Sequence, residues 1–137
     1  MSPIRRIRPE GLVASPAFSH VAVVPPGATT IYVGGQNAVD AEGSLVGKDD
    51  VAVQSARAFG NVKTALAAAG ATTSDVVQWT VLFVDGADIA AGYGAIAPEL
   101  ASDEPALVTA ALVSGLGVPG ALVEISAVAA VLPEAAP

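Results

Sequence analysis

The residue in this sequence best suited to proton chemistry is Glu124, which lies between Val123 and Ile125 in a strongly apolar stretch. A carboxylate with apolar neighbours is a candidate general acid or base. In an alternating strand the same position can simply face solvent, and the residues alone favour that second interpretation. His20, the single histidine, could relay protons at neutral pH, but a lone histidine is more typical of a surface or edge-strand position.

Two adjacent glycines, Gly34 and Gly35, form a second candidate site. Small residues permit close approach, so their backbone N–H groups could contact a ligand carbonyl or oxyanion. The alternative is a strand bend or bulge at which another backbone packs closely. The sequence leaves these two interpretations open. The glycine-rich segment 114–120 lacks the lysine of a phosphate loop and the glycine spacing of a dinucleotide site, so no nucleotide site is predicted.

Composition excludes several other kinds of chemistry. The absence of cysteine excludes a thiol nucleophile, a disulfide and a thiolate metal site, and one histidine cannot form a multi-histidine site. We therefore predict neither a metal nor a cofactor. Thirteen acidic residues against six basic ones give a net charge of −7, which argues against nucleic acid as a partner. The one basic cluster is Arg5, Arg6 and Arg8, interpreted as a solvated or edge-strand charge group.

The pattern along the chain predicts one α+β domain over residues 1–137, with an N-terminal strand or turn in 1–16 and a short tail in 133–137. A helix is predicted to begin at an Asp cap in 48–50 and to end at Gly70. A weaker helix begins near Asp88 and is ended or bent by Pro98. Strands are predicted at 4–8, 31–36, 75–84, 106–113 and 121–132.

The strand over 75–84 is predicted to be central, because both of its faces carry apolar residues. Val77, Trp79, Val81 and Phe83 are assigned to one face, and Val76, Gln78, Thr80, Leu82 and Val84 to the other. Trp79 is interpreted as a core or interface residue. Both helices connect strands, which favours right-handed crossovers onto one face of a mixed sheet. The other face of the sheet has no predicted helix on it and is expected to pack against another surface.

Hydrophobic residues make up 53% of the chain and charged residues 14%, so part of the surface is predicted to be covered by copies of the same chain. Residues 9–26 contain no apolar core typical of a signal peptide, and no apolar run is long enough to span a membrane. We predict no membrane association and a cytoplasmic location.

Five short segments of the chain follow one another in an order that is typical of one protein family. They are Gly34-Gly35-Gln36, the helix end at 67–71, the strand start at 75–77, Pro105-Ala106 and the segment 119–125. Over about Phe18 to Val131 the chain resembles the Rid (YjgF) family. The resemblance implies a chorismate-mutase-like fold with two helices on one face of a mixed sheet. It also implies a homotrimer with ligand clefts between subunits, and hydrolysis of reactive 2-imino or enamine acids to 2-keto acids and ammonia.

The resemblance also assigns roles to residues. Glu124 matches the glutamate that positions water, and this favours the functional interpretation of Glu124. Gly35 keeps the family residue, whereas Gly34 replaces a serine and Phe18 replaces a tyrosine. Leu107 replaces the arginine that pairs with the substrate carboxylate, and Thr109 on the same strand face could hydrogen-bond a ligand.

The loss of that arginine changes the expected ligand. Leucine cannot form the two charge-assisted hydrogen bonds that arginine gives a carboxylate, so a carboxylate in a partly buried cleft would be penalised by several kcal/mol. His20, Arg57 and Lys63 are the cations that could substitute. We predict a more apolar pocket for a small molecule that differs from 2-imino acids, with an uncharged ligand as one candidate. Two alternatives stay open: a non-catalytic trimeric binding or interaction protein, and a ribonuclease or translation inhibitor, which the net charge and the lack of a histidine pair disfavour.

Overall fold

The computed structural model describes residues 3–133, which form six β-strands and three α-helices. The strands are β1 (Arg5–Ile7), β2 (Val21–Val23), β3 (Thr29–Gln36), β4 (Val76–Val84), β5 (Leu107–Val113) and β6 (Val123–Val131). The helices are α1 (Val51–Ala68), α2 (Ile89–Gly94) and α3 (Ala97–Leu100). A single 3-10 turn, Thr73–Asp75, precedes β4. Of the predicted tail 133–137, residues 134–137 lie outside the described residues.

The sequence signals at both ends of α1 are confirmed. Asp50 is the N-cap, and its Oδ1 accepts a hydrogen bond of 3.1 Å from the Val53 N–H. At the other end Gly70 adopts a φ of 76°, which a glycine reaches without steric cost. The Ala71 N–H then donates to the Leu66 carbonyl over 2.9 Å, so the last turn ends in a Schellman motif.

The main sheet has the strand order β3-β6-β4-β5. Strands β4 and β5 are parallel, and the other neighbours are antiparallel. A parallel pair needs a crossover connection, which here contains α2 and α3. Helix α1 packs on β6 and β3, and α2 packs on α1. The prediction of a mixed sheet with its helices on one face is confirmed.

The core lies between the helices and one face of this sheet. From β4 it contains Trp79, Val81 and Phe83, and the Phe59 ring of α1 stacks on Trp79 with ring centroids 5.1 Å apart. The assignment of Val76 to the opposite face is wrong. A register shift between residues 76 and 78 places Val76 opposite Ala129, inside the core, because a bulge interrupts the strict alternation of side chains.

The second predicted helix is divided into α2 and α3. The break lies before Pro98, which occupies the first turn of α3, where its missing N–H leaves no helical hydrogen bond unmade. Gly92 has a packing role in α2. A Cβ at this position would lie 2.6 Å from Phe83 Cε1 and 2.9 Å from Val51 Cγ2, so glycine lets α2 approach both β4 and α1.

Strands β1 and β2 form a separate two-stranded sheet that is attached through arginine side chains. The Arg6 Nη2 donates to the carbonyls of Ser74 and Val76 at 3.0 and 2.9 Å, and the Arg8 Nη2 donates to the Asp103 carbonyl at 2.7 Å. The basic cluster therefore has a structural role. None of the helices in residues 3–133 combines the length and apolarity that a bilayer crossing requires.

Among residues 3–133 no helix covers the second face of the main sheet, which we call the open face. Strand pairing and side-chain alternation place the following residues on it: Thr30, Tyr32, Gln78, Thr80, Leu82, Leu107, Thr109, Ala111, Glu124, Ser126 and Val128.

Candidate functional site

The carboxylate of Glu124 lies against Gly35 on the open face. Glu124 is half-buried on β6, opposite Leu82 of β4. A Cβ placed on Gly35 would lie 2.6 Å from both Cδ and Oε2 of Glu124. Any larger residue at position 35 would therefore force the carboxylate out of this position, so the two residues form one unit.

The two glycines occupy a bulge in β3. Val33 pairs with Ala127 and Gln36 with Ile125, so Gly34 and Gly35 together oppose a single residue of β6. A Cβ on Gly34 would meet no atom within 4 Å. The bulge interpretation is confirmed, but the group that packs closely on it is the side chain of Glu124 rather than another backbone.

Phe18 lies at the other end of the sheet, beside the start of β5. The Ser19 N–H donates to the Ala106 carbonyl at 3.2 Å, which places the segment around Phe18 next to Leu107, the first residue of β5. Phe18 contacts His20 edge-to-face, with ring centroids 5.3 Å apart. Phe18 and Leu107 are both half-buried.

Within one protomer the predicted site residues fall into two groups. Leu107 pairs with Gln78, which pairs with Val128, four residues along β6 from Glu124. With a strand spacing of about 4.8 Å and a rise of about 3.3 Å per residue, Leu107 and Glu124 are roughly 16 Å apart. Thr109 is exposed on β5 opposite Thr80, between the two groups. We call Gly35 and Glu124, with Gly34, the glutamate half, and Phe18 with Leu107 the leucine half.

Of the three cations considered as replacements for the lost arginine, His20 is the one that contacts the leucine half, through the Phe18 ring. Its Nε2 hydrogen-bonds the Val13 carbonyl at 2.8 Å, so Nε2 carries the proton in the neutral ring and Nδ1 is an acceptor. The neutral histidine therefore offers a carboxylate no free donor. Lys63 is ion-paired to Glu99 at 3.0 Å, and Arg57 hydrogen-bonds Asn61; both cations belong to α1.

Four surface cavities of 140 to 460 Å³ are lined by residues other than those of the two halves. The smallest is apolar and includes Tyr93, whose pKa is raised by burial. Among residues 3–133 no three Asp, Glu or His side chains come together in a way that could hold a metal ion. The candidate site is thus a region of the open face outside these four cavities.

Sequence reasoning missed three further side chains of the open face: Tyr32, Gln78 and Ser126. Tyr32 is 79% exposed on β3, opposite Val128, and Ser126 lies opposite Thr80. The alternation of β6 already predicts that Ser126 shares a face with Glu124. The position of Tyr32 depends on the pairing register of β3 with β6, which the sequence does not contain.

The family model described as Endoribonuclease L-PSP matches residues 10–131. The chain belongs to this family, also called the YjgF or Rid family. The YyfB protein of the conserved Rid family from Yersinia pestis is similar in structure to this Rid-family chain. The two are 32% identical with a TM-score of 0.79, over 92% of this chain and 97% of YyfB.

Two further solved structures are similar to this Rid-family chain. The YjgF gene product of E. coli is 28% identical with a TM-score of 0.63, over 77% of this chain and 83% of its own. RidA from the Antarctic bacterium Psychrobacter is 25% identical with a TM-score of 0.64, over 85% and 96%. No curated protein sequence matches the chain. The predicted family and the predicted fold are both confirmed.

Proposed function

We propose that this Rid-family protein hydrolyses an uncharged imine or enamine to a carbonyl compound and ammonia. In the imine reaction, water adds to the carbon of the C=NH group, the C–N bond breaks, and the products are a C=O group and NH₃. The observation that carries the proposal is the packing of the Glu124 carboxylate against Gly35 on the open face. This places one ionisable group next to backbone that a ligand can approach closely.

Glu124 would act on water and on the leaving nitrogen in turn. As a carboxylate it accepts a proton from the attacking water and passes it to the imine nitrogen, which gives a carbinolamine. It then accepts the proton of the carbinolamine hydroxyl and passes it to the NH₂ group, so that the C=O bond forms, the C–N bond breaks and NH₃ leaves. One group suffices because Glu124 is a carboxylate again after each of the two transfers. The neighbouring residues on β6 are apolar and buried, so Glu124 is the ionisable group available on this part of the strand.

The leucine half favours a ligand without a carboxylate. Leu107 and Phe18 offer apolar surface, and the Nε2 of the adjacent His20 is already hydrogen-bonded to the Val13 carbonyl. A ligand carboxylate placed there would lose its water without gaining a charged partner, which costs several kcal/mol. Thr109, exposed on the same strand face as Leu107, can hydrogen-bond a neutral polar group of the ligand.

We propose further that the site is completed by a second copy of the chain in a homotrimer. The open face carries apolar and small polar residues that no helix covers, and the two halves are too far apart in one protomer to contact one small molecule. A cleft between neighbouring open faces can place the glutamate half of one copy against the leucine half of the next.

The test uses two matched imines, generated freshly in the assay. One is 2-iminobutanoate, and the other is the imine of propionaldehyde, which is the same molecule without its carboxylate. We expect the protein to accelerate ammonia release from the uncharged imine and not from 2-iminobutanoate. Glu124→Gln should reduce that acceleration by about 100-fold or more. An unchanged rate in this variant contradicts the role of Glu124.

Leu107→Arg tests the specificity. If Leu107 excludes carboxylates and Glu124 is correctly placed, this variant gains hydrolysis of 2-iminobutanoate, because the new guanidinium can bind the carboxylate through two hydrogen bonds. Acceleration of 2-iminobutanoate by the unchanged protein would overturn the proposed substrate class. A folded trimer that accelerates neither imine would instead support a non-catalytic binding protein, a role that Leu107 and Gly34 also favour.

A further inference from the structure

A cavity of about 460 Å³ lies between α1 and the segment that follows β3, outside both halves of the candidate site. We call it the α1 cavity. It is lined by Gln36, Val39, Asp40, Ala41, Arg57, Asn61, Thr64, Ala65 and Ala68. Its lining thus combines one cation, one anion, three amide or hydroxyl side chains and four small apolar residues.

Arg57 is held in this cavity by one side of its guanidinium group. Its Nε donates to Asn61 Oδ1 at 3.2 Å. The Asn61 Nδ2 donates in turn to the carbonyls of Asn37 and Val39 at 3.0 and 2.9 Å, which fixes the orientation of the amide. Within residues 3–133 the Nη1 and Nη2 groups of Arg57 donate to no protein acceptor. The guanidinium is therefore positioned with its two terminal nitrogens available.

Asp40 is held on the same cavity by one carboxylate oxygen. Its Oδ1 accepts hydrogen bonds from the N–H groups of Glu42 and Ser44 at 3.0 and 2.9 Å. Its Oδ2 accepts none from residues 3–133. Lys63–Glu99 is the one ion pair within residues 3–133, so Asp40 and Arg57 are not paired with each other. Two opposite charges thus line one cavity, each fixed by neighbours and neither neutralised by the other.

From this arrangement we infer that the α1 cavity binds a small zwitterion, an α-amino acid with a short aliphatic side chain. The ligand carboxylate accepts hydrogen bonds from the Arg57 Nη groups, because guanidinium and carboxylate match in charge and geometry. The ligand ammonium group donates to Asp40 Oδ2. Ala65 and Ala68 are small and apolar, so the short side chain of the ligand packs on them.

Titration of ¹⁵N-labelled protein with L-alanine tests the inference, with acetate and methylamine as probes that each carry one of the two charges. We expect alanine to shift the amide resonances of residues 37–41 and 57–68 and to bind more tightly than either single-charge probe. Arg57→Gln should weaken alanine binding by about tenfold or more. Asp40→Asn keeps an oxygen for the 42 and 44 N–H groups and should weaken alanine but not acetate.

The matched control is Arg5→Gln, which removes an exposed arginine of β1 and should leave alanine binding unchanged. If Arg57→Gln does not fold, Arg57→Lys keeps the charge without the planar fork and should bind alanine with an intermediate loss. Equal binding of alanine to Arg57→Gln and to the unchanged protein overturns the inference, as does equal binding of alanine and acetate.

The same titration separates this inference from the proposed imine hydrolysis. Glu124→Gln should abolish hydrolysis and leave alanine binding to the α1 cavity unchanged. If alanine instead shifts the resonances of Gly35 and Glu124 and leaves those of the α1 cavity in place, the amino acid binds the candidate active site and the α1 cavity proposal is wrong. Loss of hydrolysis together with retained alanine shifts at residues 57–68 supports both proposals.

Discussion

At the scale of single residues, the contact of Glu124 with Gly35 is the feature on which the proposed chemistry depends. Alanine is the smallest possible change at position 35, yet its Cβ would overlap three atoms of the glutamate side chain. The adjacent Gly34 shares the bulge and has no neighbour within 4 Å of the same added atom. Both glycines have φ values outside the left-handed region, so the backbone accepts alanine at either position.

This pair gives a matched prediction. Gly35→Ala should lose about 1–3 kcal/mol of unfolding free energy and at least tenfold in imine hydrolysis, because the added methyl group displaces the Glu124 carboxylate. Gly34→Ala should change both quantities little. Chemical denaturation and ammonia release from the propionaldehyde imine provide the two measurements. Equal behaviour of the two variants would show that Glu124 does not lie against Gly35.

At the scale of elements, α1 is joined to two loops by a buried amide. Gln54 is 0% exposed, and its Nε2 donates to the carbonyls of Gly47 and Gly120 at 3.1 and 3.2 Å. Its Oε1 accepts from the Leu122 N–H at 2.8 Å. All the hydrogen-bonding groups of this side chain that face the loops are thus used, and the loop before β6 is fixed relative to the helix.

Gln54→Leu should lower the free energy of unfolding by about 3 kcal/mol or more, since it leaves one N–H and two carbonyls buried without their partner. On the same helix, Lys63→Met removes the exposed ion pair with Glu99 and should cost less than about 1 kcal/mol. Urea denaturation of both variants measures the difference. A cost for Gln54→Leu no larger than that for Lys63→Met would mean that water replaces the lost hydrogen bonds.

The elements also show what the sequence could predict. The limits of α1 follow from a local cap and a local C-terminal glycine, and the buried face of β4 follows from residues two positions apart. The positions of Val76 and of the Gly34–Gly35 bulge depend on register shifts between strands distant in sequence. The separation of the candidate site into two halves depends on the same strand pairing. Comparison with the family could therefore identify the site residues, but it could not give the distances between them.

At the scale of the whole molecule, the open face connects composition with assembly. A chain with 53% hydrophobic residues and few charges leaves Leu82 and Val128 half-buried and Tyr32 exposed on a face without a helix. Leu82 lies opposite Glu124 on β4, and Tyr32 lies on β3 opposite Val128, two residues beyond Ser126 on β6. The surface that we propose to pack against other copies is therefore the surface that carries the candidate chemistry.

Val128→Lys should convert the proposed trimer to monomers, because the cross-strand partners of Val128, Gln78 and Tyr32, offer no opposite charge to a lysine in a packed face. Leu112→Lys is the control: Leu112 lies on β5 and is exposed, and it shares the opposite face of the sheet with Phe83. This variant should remain a trimer. Light scattering coupled to size-exclusion chromatography measures both masses, and a monomeric unchanged protein would remove the proposed intersubunit cleft.

Because Glu124 and Leu107 are roughly 16 Å apart in one protomer, a mixture of two inactive variants should behave differently from either variant alone. In a closed ring each copy would supply its glutamate half to one neighbour and its leucine half to the other. A variant with a substitution only in the glutamate half and a variant with a substitution only in the leucine half would each be inactive alone. Co-assembled, they would form some clefts from two undamaged halves, so two inactive alleles in one cell would partly restore each other's function.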